Sequence, residues 1–84
     1  MKYYEKIFEK KAVKYLQSLQ NNQQKRIMNA IKKLPVGDIK PLKNHDGLFR
    51  LRVGDYRVIF TKQDDISLIT ILNAGHRRDI YGNL

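Results

Sequence analysis

Gly54-Asp55 stands between two runs of alternating side chains, and that spacing commits the segment to a β-hairpin with a two-residue loop. Phe49, Leu51 and Val53 alternate with Leu48, Arg50 and Arg52 before the turn, and Tyr56 to Lys62 returns after it. The loop length fixes the pairing: Val53 opposite Tyr56, Arg52 opposite Arg57, Leu51 opposite Val58, Arg50 opposite Ile59 and Phe49 opposite Phe60. Phe49, Leu51, Val53, Tyr56, Val58 and Phe60 then share one apolar face. Arg50, Arg52 and Arg57 crowd the other, where directly opposed like charges about 4.5–5.5 Å apart destabilise the pair. An anion between Arg52 and Arg57 would reverse that sign.

The rest of the chain supplies what covers the apolar face. Lys2 to Phe8 reads as a first strand, rich in Tyr, Ile and Phe. From Glu9, Ala12, Val13, Leu16 and Leu19 recur at helical spacing; Gln20-Asn21-Asn22 interrupts, and a second stripe follows through Ile27, Ala30, Ile31 and Leu34 before Pro35 and Gly37 stop it. Two amphipathic helices joined so closely form an antiparallel hairpin. Pro35 to Asp46 has no period and is expected to be a loop. After Gln63-Asp64-Asp65, the run Ile66 to Leu72 is apolar on both faces and is expected inside the sheet, ending at Asn73-Ala74-Gly75. The expected architecture is one α+β domain over residues 1–84, in the order β-α-α-β-β-β, with the helical hairpin on one face of a small, mainly antiparallel four-stranded sheet.

A chain of 84 residues buries only about 60–65% of the surface it could expose, which leaves no room for a second domain or a deep cofactor chamber. The absence of cysteine removes disulfides, thiolate metal sites and thiol nucleophiles. No apolar run approaches a membrane span and no export signal opens the sequence, so a cytoplasmic protein without membrane contact is expected. The net charge of +9 calls for a polyanionic or acidic partner. Its distribution is uneven: ten of eleven lysines lie between Lys2 and Lys43, and five of six arginines between Arg50 and Arg78. Hydrated lysines suit a solvated docking face, whereas planar arginine forks suit phosphate. Residues 1–46 carry +7 and the remainder +2.

The arginine face, with His76, Arg77 and Tyr81 expected beside it, has the composition of a phosphate site. Cleaving RNA without a metal requires a base for the 2′-hydroxyl, cations for the charge building on the phosphorane, and a proton for the departing 5′-oxygen. Arginine supplies only the second, because it does not deprotonate. Histidine can take either proton role near neutrality, and Tyr81 offers a ring to stack a base and a hydroxyl. Each residue also has a structural reading: the arginines solvated or paired with Asp55, Asp64, Asp65 or Asp79, His76 an ordinary surface residue, Tyr81 an anchor on the sheet. His45 and Asp46 read as turn formers. No glycine-rich phosphate loop or metal-ligand cluster is present, and no cofactor is expected.

Three blocks, Lys40-Pro41-Leu42-Lys43, Gly47 to Phe60 and Gly75-His76-Arg77-Arg78-Asp79-Ile80-Tyr81, resemble the RelE-type mRNA interferases of the RelE/ParE toxin–antitoxin superfamily. The resemblance implies a ribosome-dependent mRNA endonuclease that cuts in the A site by 2′-hydroxyl attack, and an acidic cognate antitoxin, through which alone operator DNA is reached. It implies Arg57 as the transition-state arginine, Arg77 as the group serving the leaving oxygen, and Tyr81 as the stacking tyrosine. Arg50 and Arg52 stand where well-known members carry lysines. Arginine keeps the charge and loses the base, so the base role passes to His76, with Tyr81 second. Arg50, Arg52, Lys43, Lys32 and Lys33 are the expected RNA and ribosome contacts. Only Gly82-Asn83-Leu84 follows Tyr81, so no long C-terminal helix is expected for an antitoxin to displace. The competing readings are a ParE-like poison of DNA gyrase and a degenerate member that only binds antitoxin.

Overall fold

The computed structural model describes residues 3–80. Its elements run β1 (Glu5–Phe8), α1 (Lys10–Gln17), α2 (Asn21–Lys32), β2 (Ile39–Pro41), β3 (Phe49–Val53), β4 (Tyr56–Gln63) and β5 (Leu68–His76). The strands form one sheet in the order β1-β5-β4-β3-β2, antiparallel except where β1 runs parallel to β5. Among the described residues no helix is long and apolar enough to cross a membrane.

The hairpin register is the one its turn length dictates, from Val53↔Tyr56 to Phe49↔Phe60. Gly54 adopts φ +60°, the left-handed value that a tight hairpin needs at its first loop position and that glycine reaches without a Cβ penalty. The expected apolar face is the core: Leu51, Val53, Val58 and Phe60 are buried with Ile69, Ile71 and Ala74 of β5, beneath Ala12 and Leu16 of α1 and Ile27, Ile31 and Leu34 from α2 and its end. Gln24 ties the two helices by donating its Nε2 hydrogen to the Leu16 carbonyl (3.0 Å).

Three expectations change. The sheet has five strands, because Ile39–Pro41, expected as loop, pairs antiparallel with Leu51 to Phe49. The outer edge of β3 would otherwise leave backbone groups unpaired, and Pro41, lacking an N–H, is suited to an edge. The last strand begins at Leu68 and continues through Asn73-Ala74-Gly75 to His76. A register shift at Ile59/Phe60 leaves Leu72 unpaired, so that Ile59 faces Asn73 and Phe60 faces Ile71. Finally, the arginine face has an apolar patch of its own. Ile59 and Ile80 are buried outside the helix-side core, and Ile80 lies so close over Gly75 that a Cβ there would meet its Cδ1 at 3.2 Å.

Candidate functional site at the hairpin turn

The β3–β4 turn is gripped from three sides by arginine. Arg57, the second residue of β4, folds back and donates from Nη1 to the carbonyls of Gly54 (2.7 Å) and Tyr56 (2.9 Å). Arg77, just past β5, donates its backbone N–H to the Asp55 carbonyl (2.7 Å) and sets its Nε 3.7 Å from the Asp55 carboxylate. Arg26, from α2, lays its guanidinium on Gly54, where a Cβ would come within 2.6 Å of Nη2. Arg52 stands exposed, opposite Arg57 in the ladder. Arg57 and Arg77 therefore meet through a common partner although twenty residues separate them.

The carboxylate of this turn, Asp55, pairs with the Arg77 guanidinium. The Arg77–Asp55 pair is solvent-exposed on both sides, and such pairs contribute about 0–1 kcal/mol. A phosphate, offering more acceptors and more charge, can displace Asp55 at little cost. Arg26 lies outside the hydrophobic stripe of its helix, a position to which sequence alone assigns no role, and it is the one arginine among the N-terminal lysines.

The other expected site residues are distributed more widely. Arg50 lies on the arginine face but is only 14% exposed. It pairs with Asp38 at 3.6 Å, and its Nη1 is buried without a hydrogen bond, so it ties the approach to β2 onto β3. His76 pairs with Tyr56, the two rings in edge contact at 6.1 Å, whereas Arg57 pairs with Gly75. Alternation thus puts His76 on the helix-side face, away from the arginines. Its Nδ1 accepts the Arg78 backbone N–H (3.2 Å), which ties the ring to the chain just past the strand. Lys11, Tyr15 and Asp79 line a small hollow of about 190 Å³ with His76. Burial, followed by the charges of Tyr56 and Asp79, raises the Tyr15 pKa. Lys43 is exposed in the loop at the opposite end of β3 from the turn. Lys33 lines a groove with Arg26 and Arg52, whereas Lys32 borders the hollows beside β1 with Tyr3 and Lys6. Tyr81 lies outside the described residues.

The two-helix, five-strand α+β domain is similar to the fold of RelE toxins. The family model for the ParE toxin of the type II toxin–antitoxin system, parDE, matches residues 6–81, and the chain belongs to this ParE/RelE family of type II toxins. Toxin RelG of Mycobacterium tuberculosis is 34% identical over 65 residues, covering 67% of this chain and 75% of RelG. Among solved structures, the RelBE2 toxin–antitoxin complex of Mycobacterium tuberculosis superposes with TM-score 0.78 at 25% identity, covering 89% of this chain and 99% of that one. The archaeal RelE-RelB complex of Pyrococcus horikoshii OT3 gives 0.72 at 32% identity, covering 94% and 99%.

Proposed function

We propose that this toxin is a ribosome-dependent mRNA endonuclease of the cytoplasm, held inactive by an acidic antitoxin. The observation that carries this reading is the meeting of Arg57 and Arg77 at the Gly54-Asp55 turn. The guanidinium of Arg57, held by the turn, and that of Arg77, beside one exchangeable carboxylate, suit a phosphate whose charge grows during reaction. In the reaction, the 2′-oxygen attacks phosphorus, the bond to the 5′-oxygen breaks, and a 2′,3′-cyclic phosphate forms. The 2′-hydroxyl proton is lost to a base and the 5′-oxygen gains one. Arg57 stabilises the phosphorane oxygens, and Arg77, half-exposed beyond the turn, neutralises the departing oxygen. Arg52 holds the flanking strand, and Arg50 serves the sheet more than the RNA. His76, with Nδ1 engaged and on the other face, positions the Arg77-Arg78 backbone, and the base role passes to Tyr81. The antitoxin assignment is supported by relatives solved as RelB-RelE toxin–antitoxin complexes and by the charge of +9.

The test is purified toxin added to ribosomes carrying a defined mRNA in the A site. The expected result is a cut within that codon, ending in a cyclic phosphate, that a 2′-deoxy substitution at the scissile nucleotide blocks without loss of binding. Intact mRNA on toxin-bound ribosomes would overturn it. The description of the matching family model favours a second reading, a ParE-like gyrase poison. That reading expects stalled gyrase–DNA cleavage complexes with mRNA intact.

A further inference from the structure

Beside the turn, α2 and the end of β3 enclose a groove of about 340 Å³, of whose lining residues the proposed chemistry uses only Arg52. β2 pairs only with Phe49–Leu51, so beyond the single bond from the Arg52 N–H to the Asp38 carbonyl (2.9 Å) the β3 edge has no partner strand among the described residues. Leu51 and Val53 give the groove an apolar floor, Arg26 and Lys33 border it from α2 and its end, and Arg52 borders it at the β3 edge. Its one carboxylate, Asp38, is already committed to Arg50 at 3.6 Å. Cations beside an apolar floor concentrate positive potential in the groove.

We propose that this groove is a second phosphate-binding subsite for RNA, taking a backbone phosphate adjacent to the one held by Arg57 and Arg77. The proposal rests on the RNA reading above. Arg26 is the link between the two subsites, because its guanidinium lies on Gly54, the residue whose carbonyl holds Arg57. A strand leaving the turn enters the groove along that guanidinium. The fork of Arg26 matches phosphate oxygens, and Lys33 adds a point charge. The phosphate belongs either to the mRNA or to ribosomal RNA next to it.

The experiment measures binding of the full chain to a non-cleavable, 2′-deoxy-substituted single-stranded RNA oligonucleotide and, separately, to mRNA-free ribosomes, over a range of salt. Wild type is compared with Arg26→Gln, Arg26→Lys, Lys33→Gln and the Arg26→Gln/Lys33→Gln double variant, each checked by thermal melting. The double variant is expected to bind about tenfold more weakly, and its salt slope to fall by about 0.7 for each phosphate that the protein no longer neutralises. Arg26→Lys, keeping charge without the fork, should fall between. Weaker binding to the oligonucleotide assigns the phosphate to mRNA, and weaker binding to ribosomes alone assigns it to ribosomal RNA; either supports the subsite. Unchanged affinity and slope in both arms overturn it, as does weakened antitoxin binding with RNA binding intact. Lys33→Gln and Arg26→Lys keep the test readable should Arg26→Gln fail to fold. If wild type cuts A-site mRNA while the groove variants bind RNA normally, the subsite is wrong and the endonuclease reading stands. If wild type neither binds nor cuts RNA, the endonuclease reading itself fails.

Discussion

Arg57 uses a single nitrogen, Nη1, for both its bonds to the turn, and among the described residues Nε and Nη2 make no hydrogen bond to protein. The backbone thus fixes the guanidinium through one nitrogen, an arrangement that suits charge developing only in the transition state. Arg57→Ala is expected to slow cleavage by about two to three orders of magnitude while ribosome affinity changes less than about tenfold, as read by single-turnover rates beside equilibrium binding. His76 yields the opposite expectation. Asn at this position can still accept the Arg78 N–H but cannot titrate, so His76→Asn should leave the pH profile of cleavage unchanged; loss of an ionisation from that profile would return the base role to His76. At the edge of the core, the Tyr4 hydroxyl donates to the Asp64 carboxylate, and this bond, then desolvation and the Asp64 charge, raises the Tyr4 pKa above 10.0. A raised folded-state pKa contributes stability that is present below pH 10 and lost as pH rises through the folded value. Tyr4→Phe should therefore lower stability at neutral pH and flatten its decline above pH 10, as measured by urea melts across that range.

The β3–β4 hairpin was legible in the sequence because a two-residue loop leaves one register open, and that register sets Arg52 beside Arg57. β2 was not legible, since three residues containing a proline show no period and owe their strand to the β3 edge beside them. The position of His76 was lost for a related reason. Ending the last strand at Asn73 discards the alternation that, carried through Gly75, places His76 on the face opposite Arg57. Arg26 was hidden among helix positions that the hydrophobic stripe leaves outside, and only tertiary contact reveals its seat on Gly54. That seat gives a prediction at the scale of the turn. Gly54→Ala imposes a positive φ on a residue with a Cβ and drives that Cβ against Arg26, costing about 1–3 kcal/mol. In an Arg26→Ala background the same change should cost less, and a double-mutant cycle by chemical denaturation measures the difference. Additive costs would show that Arg26 does not press on the turn.

Across the whole molecule the two faces of the sheet divide the work. One is closed by the helical hairpin over Phe60, Ile69 and Ile71; the other presents Arg52 and Arg57, and the turn joins it to Arg77 and Arg26. The site therefore depends on a core that a small domain assembles from few side chains. Phe60 is 1% exposed, and Phe60→Ala should cost about 3–5 kcal/mol, a large part of the about 5–15 kcal/mol that typically holds a domain together. The expected readout is a lowered melting temperature, with cleavage lost in proportion to the folded fraction. The larger charge of residues 1–46, +7 against +2 for the rest, fits docking on a polyanion, and the smaller, arginine-rich share fits the chemistry. The most direct test of that division is the single-turnover rate of A-site mRNA cleavage at saturating toxin, for wild type and for Arg57→Ala. The account predicts codon-specific cutting by wild type that falls at least about a hundredfold in the variant with binding retained. Equal rates for the two proteins, or uncut mRNA on ribosomes saturated with wild type, would contradict it.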